Sequence, residues 1–218
     1  MKFTLIRPAS MLVMAAALAS CGGGGDDDNF TVGGSVSGVV YPGMMLTNNG
    51  TDTINIAPPA KAGDDVKFSF SKKLEYGDTY DVRITSNPQH QNCRVFQYAP
   101  NSPTGTAGQL AVINARFECF IATHEIGGEV SGLTKDNTGL VLTNGSNTGS
   151  TLIVPGDTNT DGAAFKYTMG APVEYNQSYG VTIVTQPKDA VCTVQNPTGV
   201  MGDADVTNIN ITCVRSAP

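Results

Sequence analysis

The sequence contains no tryptophan and only two histidines, His90 and His124. Neither histidine belongs to an H-E-x-x-H metalloprotease motif, and the chain carries no G-x-S-x-G elbow and no phosphate-binding P-loop. A hydroxyl or thiol nucleophile needs a base beside it, and no nucleophile motif accompanies either histidine. Paired carboxylates of the glycosidase kind are equally scarce. Asp64-Asp65 is the only adjacent pair beyond residue 29, and it reads as a turn before a strand. The expectation is therefore a protein that is not an enzyme. Charge is also sparse, at 15% of residues, and leans acidic, with a formal net charge of −6. Nucleic-acid binding calls for a basic stripe, so no nucleic-acid partner is expected.

What is abundant is glycine, threonine, asparagine and serine, a composition of short strands and tight turns. One cassette of such residues occurs twice. The first copy opens with Gly33-Gly34-Ser35-Val36-Ser37-Gly38 and the second with Gly127-Gly128-Glu129-Val130-Ser131-Gly132. Each runs on to Leu-Thr-Asn, at Leu46–Asn48 and Leu142–Asn144. Each then reaches an aromatic strand, Tyr80 to Thr85 or Tyr179 to Val184, and closes with two cysteines. The repeat predicts two domains of about 90 residues, a size that buries a modest core and often needs a covalent staple.

Within each copy the hydrophobic period is two. Val66, Phe68 and Phe70 alternate with Lys67, Ser69 and Ser71; Phe165 and Tyr167 alternate with Lys166 and Thr168. Tyr80, Val82 and Ile84 point inward by the same rule, as do Tyr179, Val181 and Ile183. Pro88 and Pro187 end those strands, because proline cannot donate to a ladder. Phe30 to Val40 reads as an opening strand with a bulge or bend at Gly33-Gly34. Asn49-Gly50, between the extended runs Met44–Asn48 and Asp52–Ala57, predicts a tight hairpin. Asn144-Gly145 stands in the corresponding place. The closing strands are expected at Val112–Phe120 and Val206–Val214. About seven short strands per copy, with no helical periodicity beyond the N-terminus, predict an all-β fold: two tandem small antiparallel β-sandwiches, residues 30–121 and 122–218.

Four of the five cysteines divide two to a copy, and Cys93 stands 13 positions after Tyr80, as Cys192 does after Tyr179. The expected disulfides are Cys93–Cys119 and Cys192–Cys213, each between sequential strands of a hairpin. A zinc site would want C-x₂-C spacing, which is missing. The fifth cysteine, Cys21, stands apart. Lys2 and Arg7 precede a short apolar stretch, Met11 to Ala19, that ends in Leu18-Ala19-Ser20-Cys21. The stretch is too short to span a bilayer and reads as a signal peptide, residues 1–20.

Leu18-Ala19-Ser20-Cys21 resembles the lipobox of bacterial lipoproteins of the Gram-negative type. The resemblance implies cleavage before Cys21, a diacylglyceryl thioether on its sulfur, and acylation of the new N-terminus with palmitate-like chains. Loss of Lys2 and Arg7 with the signal peptide takes the net charge from −6 to −8. Gly22-Gly23-Gly24-Gly25-Asp26-Asp27-Asp28-Asn29 then forms a tether, residues 21–29 with the cysteine, that reaches at most about 26 Å. In that family an aspartate directly after the cysteine favours inner-membrane retention. Gly22 occupies the position here, so the resemblance favours the outer membrane, facing the periplasm or the cell surface. The mature part is similar in layout to tandem immunoglobulin-like or fibronectin-like repeats of exported bacterial proteins, which implies a spacer, adhesive or ligand-binding role. The early cysteine and core tryptophan of immunoglobulins are both missing, so the likeness is one of architecture.

Asp157-Thr158-Asn159-Thr160-Asp161-Gly162 matches the first half of a calcium loop, with Asp157, Asn159 and Asp161 as the oxygen donors. The bidentate acid at the twelfth position is replaced by Thr168, and Asp/Asn/Gly loops are also ordinary turn chemistry. No cofactor is expected beyond calcium at that loop. The functional expectation is a non-catalytic, lipid-anchored envelope protein acting as a spacer or protein-interaction module. The alternative is an adhesin or glycan-binding lipoprotein that uses loops of the second copy, Thr134–Thr138 and Asn144–Gly149. Residues 122–218 hold nine acidic and four basic side chains against seven of each in 30–121. The copies thus differ most in charge. Phe120-Ile121-Ala122-Thr123 joins them without glycine or proline, which predicts a short, stiff junction.

Overall fold

In the computed structural model, residues 29–96, 102–109, 112–145 and 150–216 are described. The first copy supplies β1 (Phe30–Ser37), β2 (Met44–Asn48), β3 (Asp52–Ile56) and β4 (Val66–Leu74). It continues with β5 (Thr79–Ser86), β6 (Gln91–Val95), β7 (Thr104–Thr106) and β8 (Ile113–Ile121). A two-residue strand, β9 (Thr123–His124), follows. The second copy runs β10 (Gly127–Ser131), β11 (Leu140–Asn144), β12 (Ser150–Ile153), β13 (Phe165–Thr168) and β14 (Val173–Glu174). It ends with β15 (Ser178–Thr185), β16 (Ala190–Val194), β17 (Thr198–Val200) and β18 (Ile211–Arg215). The fold is all-β, as the period-two pattern requires.

Each copy folds its strands into two four-stranded sheets, ordered β4-β1-β8-β6 and β3-β2-β5-β7 in the first copy. The second repeats this as β13-β10-β18-β16 and β12-β11-β15-β17. The pairs are antiparallel except β1 with β8 and β10 with β18, which run parallel. These orders differ from the A-B-E-D and C-F-G sheets of an immunoglobulin constant domain, so the likeness to that fold stops at the architecture. Between the sheets of the first copy lie Val32, Val36, Leu46, Tyr80, Val82 and Phe117; between those of the second lie Val130, Leu140, Leu142, Val181, Ile209 and Ile211.

The recurring glycines have a steric cause. Gly34 sits in β1 between two neighbouring strands, and a Cβ there would lie 1.8 Å from the Ala115 carbonyl oxygen; at Gly128 it would lie 2.2 Å from that of Ile209. Gly38 and Gly132, where the chain leaves these strands, have φ of 73° and 83°, a region that L side chains seldom adopt. The predicted bulge is present: the β1–β4 register slips between Thr31 and Gly33.

Three expectations are corrected. The Asn-Gly dipeptides are not equivalent. Asn48 and Asn144 are the matching residues, both buried, each accepting a backbone N–H through Oδ1, from Asp81 at 3.1 Å and from Gly180 at 2.7 Å. The turn residue Asn49 (φ 50°) therefore corresponds to Gly145 (φ 61°). One residue separates the two motifs because either amino acid tolerates the left-handed position. Second, the disulfide partners are not sequential strands. Cys93 faces Cys119 across β6–β8 and Cys192 faces Cys213 across β16–β18, but β7 and β17 intervene and cross to the other sheet. These short strands carry glycine, Gly105 and Gly199, under the rings of Tyr80 and Tyr179, and lack the alternation that marks a strand in sequence. Third, the last strand of the second copy is confined to Ile211–Arg215. Val206 forms only an isolated bridge to Ile126.

Candidate functional site

Two places bring together side chains from distant segments. The first is the join between the copies. His90, at φ 57° in the β5–β6 loop, lays its ring on Tyr175 with centroids 3.7 Å apart and planes 3° from parallel. Tyr41 meets both rings edge-on, at 5.0 and 5.9 Å. The His90 Nδ1 lies 2.6 Å from Asp203 Oδ1. Backbone bonds run through the same place: Ala122 N–H donates to the His90 carbonyl and Tyr175 N–H to the Ala122 carbonyl, each at 2.8 Å. The β9–β14 pair adds Thr123 and His124 against Glu174 and Val173. The linker of the sequence is thus held from both sides, and the far end of the first copy abuts the near end of the second.

The second place is a cleft of about 280 Å³ in the second copy. Gly127 and Gly128 line it together with Glu125, Glu129, Lys166 and Asp205. It exists because the β10–β18 ladder is short. Only Val130 and Ser131 pair with Ile211 and Thr212, whereas β1 pairs with β8 continuously from Val32 to Ser37. Side chains replace part of the missing ladder: Asn210 Oδ1 accepts the Glu129 N–H at 3.1 Å, and Asp205 Oδ1 accepts the Glu125 N–H at 2.8 Å. Tyr167 closes the inner wall and donates its hydroxyl to the Ile209 carbonyl at 2.8 Å. Burial pushes its phenol up to about 12. The cleft offers charges of both signs, from Glu125, Glu129, Asp205 and Lys166, an arrangement suited to holding a small polar group.

The anticipated loop at Asp157–Gly162 is a self-closed turn. Asn159 Oδ1 accepts the Gly162 N–H and Asp161 Oδ1 the Ala163 N–H, both at 3.1 Å, while Asn159 Nδ2 donates to the Ala163 carbonyl. Its backbone also ties down the neighbouring loop, since Lys135 N–H donates to the Asn159 carbonyl. Among the described residues, no three His, Cys, Asp or Glu side chains are grouped to hold a metal ion. In the Thr134–Thr138 loop, Asn137 Oδ1 accepts both the N–H and the hydroxyl of Thr134 at 2.9 Å, and Lys135 pairs with Asp136. That hydrogen bond holds the Asp136 carboxyl below its ordinary range. Asp65 lies 3.9 Å from Arg116, which covers the Phe96 ring. His124 stands 3.7 Å from Asp205. Cys21, Asp26 to Asp28 and residues 146–149 lie outside the described residues.

The sequence reading missed both the aromatic join and the cleft. Glu-Tyr at Glu75-Tyr76 and Glu174-Tyr175, four residues before each strand tyrosine, was the available signal for the first. The cleft had none, because it arises from a ladder that fails to form. Compared with known protein families and with curated proteins, the sequence matches none.

Proposed function

We propose that the chain is a lipid-anchored cell-envelope protein, held at the outer membrane through Cys21, whose paired sandwiches act as a spacer or protein-interaction module. The observation that carries the spacer reading is the join. A spacer must transmit distance, and a linker bonded to both copies and clasped by His90 on Tyr175 resists bending. Each copy also holds its own core and its own disulfide, so neither depends on the other to fold. The test has two arms. Labelled palmitate should enter the wild-type chain and not Cys21→Ser, which should leave the membrane fraction. Scattering from that soluble Cys21→Ser chain should give one narrow, elongated distance distribution that broadens in His90→Ala/Tyr175→Ala. A compact wild-type profile, or one already as broad as the variant's, rejects the spacer.

A second reading, a ligand-binding lipoprotein, is favoured by the cleft at Gly127-Gly128, which lies beside the join and not among the loops anticipated for it. Partner capture that is lost in Glu129→Gln/Lys166→Ala and kept in Asp157→Asn/Asp161→Asn would establish this reading over the first.

A further inference from the structure

The near end of the first copy repeats the geometry by which the second copy docks, and among the described residues none is stacked on it as His90 is on Tyr175. Tyr76 corresponds to Tyr175. Both follow a glutamate and precede a residue with positive φ, Gly77 at 91° and Asn176 at 64°. Both turns close on the same bonds: Gly77 N–H to the Ala107 carbonyl and Asn176 N–H to that of Met201. Yet Tyr175 is covered by His90, whereas Tyr76 is 74% exposed. Its ring lies against Gly108 and 6.5 Å from the ring of Phe30, and Val112, which enters β8 just before Ile113 pairs with Val32 at the same end of β1, is 73% exposed. An aromatic with a polar tip and two apolar neighbours, all on one end, is a surface awaiting a partner.

Where the chain enters says which partner. Phe30 belongs to the patch, and only residues 22–29 separate it from Cys21, a span of at most about 26 Å. We infer that this end is a lipid-contacting face: with the chain held at Cys21, Tyr76, Phe30 and Val112 rest in the headgroup layer of the bilayer. The inference rests on the anchored reading above. Tyrosine suits that layer, its ring among the acyl boundary and its hydroxyl in water. Charge does not drive the contact, because Lys72 and Lys73 are offset by Glu75 and Asp78. A second copy of the chain fits less well. At its far end the residue matching His90 is Asp189, whose carbonyl takes the Ser216 N–H as that of His90 takes Ala122's. It brings no ring to stack on Tyr76.

The experiment uses the missing tryptophan and the unpaired cysteine. The chain from Cys21 onward, which keeps every described residue, is coupled through the Cys21 thiol to maleimide lipid in phosphatidylethanolamine–phosphatidylglycerol vesicles. A single indole is introduced by Tyr76→Trp or, at the opposite end, by Lys188→Trp. The expected result is blue-shifted emission from the Tyr76→Trp chain. Its quenching by headgroup-level spin-labelled lipid should be several-fold stronger than for Lys188→Trp, insensitive to salt, and weakened by adding Val112→Asp. Equal quenching at both ends overturns the inference. So does quenching that vanishes as the coupled chains are diluted over the vesicle surface, because copies would then be meeting each other. Coupling is chemical, so these outcomes are independent of natural lipidation. An unmodified Cys21 in the mass of the chain purified from cells would instead overturn the anchored reading.

Discussion

Phe68 and Tyr167 occupy the same place in the two copies, opposite Gly34 and Gly128 across the sheet. In the first copy the ring packs on Phe70 and Phe117, and the β1–β8 ladder beside it is continuous. In the second the added hydroxyl bonds the Ile209 carbonyl, and the strand there gives way to the looped residues 207–210. One copy satisfies its backbone with ladder; the other combines an isolated bridge and a few backbone bonds to Val206 and Ile209 with side-chain bonds from Tyr167, Asn210 and Asp205, and has a cleft there. The comparison teaches that the glycine-and-tyrosine frame tolerates a broken ladder, provided side chains take over the orphaned N–H and C=O groups.

The largest effect should come from filling the frame. Gly34→Ala places a methyl 1.8 Å from the Ala115 carbonyl oxygen, inside the continuous β1–β8 ladder, and should cost about 3 kcal/mol or more. Gly128→Ala meets a carbonyl in a looped segment that can yield, so its loss should be smaller by about 1 kcal/mol or more. Urea denaturation of both variants checks this; equal losses would break the contrast. Next come the staples. Cys93→Ser/Cys119→Ser and Cys192→Ser/Cys213→Ser each open a loop, of 26 and 21 residues, and should each cost about 3 kcal/mol. In calorimetry each double variant should lower only its own copy's transition. A matched shift of both would mean that the copies melt as one unit.

The smallest effect is at Tyr167. Tyr167→Phe makes the second copy resemble the first and should cost about 1 kcal/mol by stripping a buried carbonyl of its donor. Its alkaline behaviour sharpens the point. The folded phenol sits at about 12 against an ordinary 10, so its proton is held more tightly in the folded state. The associated stability is complete below pH 10 and is lost as pH rises from 10 through 12. Wild type should lose more stability across that window than Tyr167→Phe. Parallel alkaline curves would reject the assignment.

Much of the frame was legible. The alternation at Val66–Phe70 and Tyr80–Ile84 marks strands because a sheet with one wet face admits no other pattern. The matched Tyr-to-Cys interval marks the staples. The join was half legible. Ala122 was visible as part of a stiff linker, but His90 on Tyr175 depends on two loops 85 residues apart meeting in space. β7 and β17 were invisible because a three-residue strand centred on glycine has no period to read.

By itself the sequence determined that this is an all-β chain of two like units, each with its own disulfide. Those properties follow from side-chain period and residue spacing, which are local. Tertiary structure alone decided that β1 and β8 run parallel, and, of the two matches the sequence offered for Asn144, chose Asn48 of the Leu-Thr-Asn run over Asn49 of the Asn-Gly pair. It also decided that one of two equivalent tyrosines is covered while the other lies bare. Each of these depends on which distant backbone a residue faces, and no local pattern encodes that.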